Sequence, residues 1–112
     1  MKVTIIGRLA DSNAQLREHI ERRLYFALGR FLAAVSRVTV TLRNDRASRG
    51  GGEKLCRVHV TLRRADDVII SDRGPEPDHL VNRVCDRLGR AVARSLDRRR
   101  AKRRWRRLQQ NP

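Results

Sequence analysis

Five arginines near the C-terminus, Arg83, Arg87, Arg90, Arg94 and Arg98, are spaced four, three, four and four residues apart. A helix advances by about 100° per residue, so they fall at about 0°, 40°, −20°, 20° and 60° around its axis. The five side chains thus form one file within about 80° of arc, running along roughly four turns. Their chemistry is electrostatic rather than covalent. A guanidinium is permanently charged, and its planar fork donates two hydrogen bonds at once to a phosphate. Exposed helix faces usually mix signs for support between residues four apart. Here only Asp86 and Asp97 flank the file, so it reads as a surface for a polyanion rather than as a merely solvated face.

A weaker set recurs earlier in the chain. His19, Arg22, Arg23, Phe26 and Arg30 follow helical spacing away from the apolar stripe, with Glu18 and Glu21 close by. Phe26 is expected to pack against the second helix or a loop; exposed among these cations it would be a platform for a base. The chain closes on AKRRWRRLQQNP. This basic run is expected to continue the arginine file in register. Trp105 is placed either to stack on a base or to cover apolar surface of the body. Whether the run stays helical alone is open, because crowded like charges repel.

Catalytic patterns are missing. The sequence contains no P-loop, GxSxG or HExxH motif and no metal-ligand spacing. His19, His59 and His79 fall on different elements. His59 reads as an exposed histidine on the wet face of a strand, and Asp66-Asp67 as turn chemistry rather than a carboxylate pair. The glycines at 50–52 follow no strand-to-helix turn and read as a loop. Neither an enzyme nor a cofactor or metal is expected, nor a small-molecule substrate.

The charge balance agrees with the arginine file. The 112 residues carry 27 basic and 12 acidic groups, a net +15 with pI about 11.7. Such self-repulsion costs stability unless an anionic partner offsets it. Nucleic acid leads as that partner, ahead of anionic membrane and acidic protein. Eight of the basic residues lie in 98–112; the remaining 19 still exceed the 12 acidic ones by seven, so the body is basic without its tail. No segment reads as a signal peptide or as the about 20 apolar residues of a membrane span. Cys56 and Cys85 sit on apolar positions and read as buried thiols. A cytoplasmic protein is expected.

These residues need elements to hold them. VTIIG reads as a short strand. Ser12 and Gln15 form a capping box for a helix over 13–34, with Leu16, Ile20, Leu24, Ala27, Phe31 and Val35 at helical spacing. RVTVTLR (37–43) and LCRVHVTLRR (55–64) alternate, with Val38, Val40, Leu42, Cys56, Val58, Val60 and Leu62 facing inward. The glycine-rich 44–53 connects them, and VIIS is a further strand. Asp78 is expected to cap the second helix, whose apolar positions are Val81, Val84, Cys85, Leu88, Val92 and Leu96. The reading is an α+β, β-α-β-β-β-α two-layer domain: a four-stranded mixed sheet, its first two strands parallel, with two helices packed on one face.

Three stretches, IERRLYFALGRF, RGGGEKLCRVHVTL and DRLGRAVARSLDRR, together with this element order, resemble the ribosome hibernation-promoting factor family, also known as the ribosome-associated inhibitor A or sigma-54 modulation protein family. The resemblance covers about residues 1–100. It implies a translation inhibitor that binds the small ribosomal subunit and its rRNA in the mRNA/tRNA channel and keeps idle ribosomes inactive and intact. It places Arg83, Arg87, Arg90, Arg94 and Arg98 on the basic face of the second helix and Arg22, Arg23 and Arg30 on the first. Residues 1–98 would form the ribosome-binding domain and 99–112 an arginine-rich tail. The short form, lacking the long form's dimerisation domain, would be monomeric off the ribosome. The alternative is a general structured-RNA-binding module with no ribosomal address.

Overall fold

A computed structural model describes residues 1–45 and 52–110. The order of elements is β1 (Lys2–Ile6), α1 (Arg8–Asp11), α2 (Ala14–Leu28), a 3-10 turn (Gly29–Phe31), β2 (Val35–Asn44), β3 (Lys54–Leu62), β4 (Val68–Gly74) and α3 (Pro77–Gln110). The strands lie in the order β1-β2-β3-β4. β1 is parallel to β2, and the other two pairings are antiparallel. The sheet is mixed and the long helices cover one face, as the sequence pattern predicts, with one short helix added. The expected loop at 44–53 lies mostly outside the described residues.

Alternation decides which face is buried. Val38 pairs with Val60, Val40 with Val58 and Leu42 with Cys56, and all six are buried. Against them pack Leu16, Ile20, Leu24 and Leu28 of α2 and Leu80, Val81, Val84, Leu88 and Val92 of α3. Each such side chain contributes about 1.5–3 kcal/mol by leaving water, which suffices for an aliphatic core without a cross-link. Cys56 and Cys85 are free and buried inside it. Burial pushes their thiols up to about 12 and about 11, so neither is a nucleophile at neutral pH.

Three boundaries differ from those read off the sequence. Ser12 does not cap α2: it ends α1, and its hydroxyl donates to the Arg8 carbonyl at 2.9 Å. The cap is Asn13, whose Oδ1 accepts from the Leu16 amide at 3.1 Å. The helix stops at Leu28 rather than 34. Gly29, a poor helix former, opens the 3-10 turn, and β-branched Val35 already belongs to β2. Asp78 lies inside α3 rather than before it, because Pro77 takes the first helical position and the Leu80 amide bonds the Glu76 carbonyl at 3.0 Å. Asp78 still favours the helix by its charge at the positive end of the dipole.

The turn from β1 into α1 requires glycine. Gly7 has φ 130, and a Cβ there would overlap the Leu42 carbonyl oxygen. Gly7→Ala is therefore expected to cost about 2 kcal/mol or more. A lower urea midpoint at unchanged m-value would register it.

Candidate nucleic-acid interface

The arginine file runs along the flank of α3, beside the apolar stripe that is committed to the sheet. Arg83, Arg87, Arg90, Arg94 and Arg98 are all exposed. They are not equivalent. Arg83 reaches sideways to β4: its Nε donates to Asp72 Oδ2 at 3.1 Å and its Nη2 to the Arg73 carbonyl at 2.9 Å. Arg87 follows, 3.5 Å from the Ser71 carbonyl and 3.9 Å from Asp72 Oδ2. Both thus cover outward carbonyls of the edge strand while half of each side chain still faces water. Arg90, Arg94 and Arg98 form no ion pair among the described residues.

The Asp72 carboxyl is held below its usual 3.8, first by the Arg73 amide that donates to it, then by Arg83 and Arg87, with partial burial opposing. This partner was not foreseen. The acids that the sequence placed on the flank do other things: Asp86 pairs with Arg23 at 2.6 Å, and Asp97 lies 3.8 Å from Arg100.

The α2 set divides similarly. Arg22 is exposed beside His19. His19 Nε2 is 2.8 Å from Asn82 Oδ1, linking α2 to α3. Arg23 is only 27% exposed and bridges the helices through Asp86; its guanidinium also lies 5.6 Å from the Phe26 ring. Arg30 sits in the 3-10 turn, 4.6 Å from the Phe31 ring. Phe26 does not pack as expected: it is 82% exposed, because two residues past Leu24 points it about 200° away from the buried stripe. Arg23, Arg30, Arg90 and Phe26 line one shallow hollow between α2 and α3, an aromatic face set among cations.

The basic run is helical to Gln110, but it does not prolong the arginine file. The positions that extend the file past Arg98 are Ala101, Trp105 and Leu108, at about 0°, 40° and −20°. The run's cations surround the helix instead. Trp105 is exposed on this projecting segment and does not cover the body.

The sheet's other face adds further cations: Lys2, Arg37, Arg43 and Arg57 are exposed there. His59 stands among them with its Nε2 2.8 Å from Asp67 Oδ2, a pair that ties β3 to the turn after it. Among the described residues no three His, Cys, Asp or Glu side chains are placed to hold a metal, and no helix is long and apolar enough to cross a membrane.

A family model, Sigma 54 modulation protein / S30EA ribosomal protein, matches residues 3–100. The chain belongs to this family. The S30EA fold is also what solved structures share with it. The N-terminal domain of Protein Y from Thermus thermophilus superposes with TM-score 0.69 at 21% identity, covering 84% of this chain and 98% of that one. A ribosomal subunit interface protein from Coxiella burnetii gives 0.67 at 15% identity, with 84% and 96% covered. No curated protein matches the chain. The S30EA family is named for ribosomal proteins rather than for a catalytic activity.

The depressed Asp72 carboxyl sets a pH dependence. Its folded value lies below the unfolded one, so its contribution is complete above the ordinary carboxylate range and is lost as pH falls through the folded value. Asp72→Asn is expected to flatten the fall in stability below about pH 4, measured by urea unfolding across a pH series. An acid limb as steep as the parent's would contradict the assignment.

Proposed function

We propose that this protein binds the small ribosomal subunit through rRNA in the channel where mRNA and tRNA otherwise lie, and inhibits translation by occupancy, keeping idle ribosomes inactive and intact. The observation that carries the reading is the unpaired stretch of the α3 ridge, Arg90, Arg94 and Arg98, on a chain of the S30EA family. Membership supplies the ribosomal address; the ridge supplies the means. The hollow at Phe26 offers a stacking surface beside it. The names of the two structural neighbours, Protein Y and a ribosomal subunit interface protein, point the same way. Arg83 and Arg87 play a mixed part, since their guanidinium groups hold the β4 edge and present only their outer sides to a ligand.

The force is counterion release. If about six to eight phosphates are met, log K falls against log salt with a slope of about −4 to −7. Catalysis is not required, because a tightly seated body excludes the normal occupants of the channel. The alternative reading is a structured-RNA binder with no ribosomal address.

Arg90→Glu/Arg94→Glu is the decisive variant, since neither residue faces the core or holds β4. Co-sedimentation with small subunits over a salt series is expected to show binding weakened at least tenfold while the urea midpoint stays near the parent's. Saturating parent protein is expected to halt in vitro peptide synthesis, with excess duplex RNA competing poorly. Full competition by that duplex would favour the general RNA binder.

A further inference from the structure

α3 parts from the sheet at Ser95. This is the last buried residue of the helix, and its hydroxyl donates to the Asp66 carbonyl in the β3–β4 turn at 2.8 Å. Up to that point the helix face turned toward the sheet is apolar, through Val84, Leu88 and Val92. Beyond it the same face becomes basic. Arg98, Arg99, Lys102, Arg103 and Arg106 fall between about 60° and 200° from Arg83, the sector that holds the core residues two turns earlier. With Arg64 from the turn they line a groove of about 280 Å³.

Arg64 has φ 60, the one positive-φ residue other than glycine among those described. The left-handed backbone at this place is usually left to Gly or Asn; here it carries an arginine that faces five other cations. Asp66 is the one acid that lines the groove. None of the six cations has a carboxylate ion pair among the described residues, while nearby Asp97 lies against Arg100 outside the groove. Arg99 is held below its ordinary range, first by desolvation and then by Arg103, Arg64 and Arg106. An anion in the groove would relieve that crowding.

We propose that this groove is a second phosphate-binding site, which takes the sugar–phosphate backbone of an RNA strand and shares only Arg98 with the arginine file on the ridge. Convergent guanidinium forks on two elements suit successive phosphates along a strand. A lipid surface fits less well, because an interfacial helix needs large apolar side chains on the face between its cations. Trp105 and Leu108 lie about 80° or more away from the middle of the groove. The inference rests on the polyanion-binding reading of this protein but not on its ribosomal address.

The test compares two charge-matched pairs in the full chain. Arg99→Gln/Arg103→Gln removes two of the six groove cations; Arg100→Gln/Arg107→Gln removes the same charge from the far side of the same helix. Gln is a good helix former, and the only attraction either pair loses is the exposed Arg100–Asp97 contact, so circular dichroism should show helicity kept. The probe is a fluorescein-labelled 12-nucleotide oligouridylate, with anisotropy read over a salt series. The groove pair is expected to make the log–log slope shallower by about 1.4, two single-strand phosphates' worth, and the far-side pair to change it by less than half as much. Equal effects from the two pairs would reduce the groove to diffuse tail charge and overturn the proposal. So would an unchanged slope in the groove pair, or a loss confined to phosphatidylserine vesicles run in parallel. The ribosomal reading stands or falls separately, on the pelleting of Arg90→Glu/Arg94→Glu.

Discussion

The seating of one apolar stripe governs where the charge of this molecule goes. Leu80, Val84, Leu88 and Val92 lock α3 across the sheet, and that contact fixes the rotation of the helix about its own axis. Every cation on α3 then inherits its direction from the core. A different rotation would bury guanidinium groups, at a cost of several kcal/mol per ion, so the stripe and the ridge are two sides of one decision. The close passage of α2 belongs to the same arrangement: Gly89 of α3 lies under the Ala27 carbonyl, where a Cβ would come within 3.1 Å. That approach brings Arg23 to Asp86 and His19 to Asn82.

A net charge of +15 makes the few acids valuable, and they are placed where they organise rather than neutralise. Asp72 holds Arg83 against the β4 margin; Asp86 holds Arg23 between the helices. Exposed pairs of this kind contribute only about 0.2–1 kcal/mol each, so their effect is chiefly geometric. They divide the basic side chains into those that brace the fold and those left for a ligand. Arg83 and Arg87 also occupy carbonyls on an open sheet margin, which discourages another strand from pairing there.

Much of this was legible in the residues. The strict alternation of RVTVTLR and LCRVHVTL announces two half-buried strands, and the spacing of Leu16, Ile20 and Leu24 announces a helix on them. α1 was missed because four residues carry no periodicity. The cap was misplaced by one residue for the same reason, since Ser12 is taken up in closing that short helix. The partners of Arg83 were invisible: Asp72 lies on another element, and nothing local marks it as an anchor. Phe26 and the cations of the groove are a different matter. Both follow from carrying the helical angle forward, Phe26 opposite Leu24 and Arg98 to Arg106 behind Val92. Charge alone suggests that the basic run prolongs the ridge, but the helical angle puts Ala101, Trp105 and Leu108 there.

The helix beyond Leu96 has no core beneath it. Fourteen residues, roughly 21 Å at about 1.5 Å each, extend from a body whose longest dimension they raise to 63 Å against 27 and 17 Å. Their order rests on the backbone ladder and the Asp97–Arg100 pair, opposed by like charges one turn apart at about 0.2–0.5 kcal/mol per pair. Thermodynamic linkage follows. Any polyanion that quiets this repulsion also stiffens the rod, so recognition at the tip and the persistence length of the tip are set by one common equilibrium.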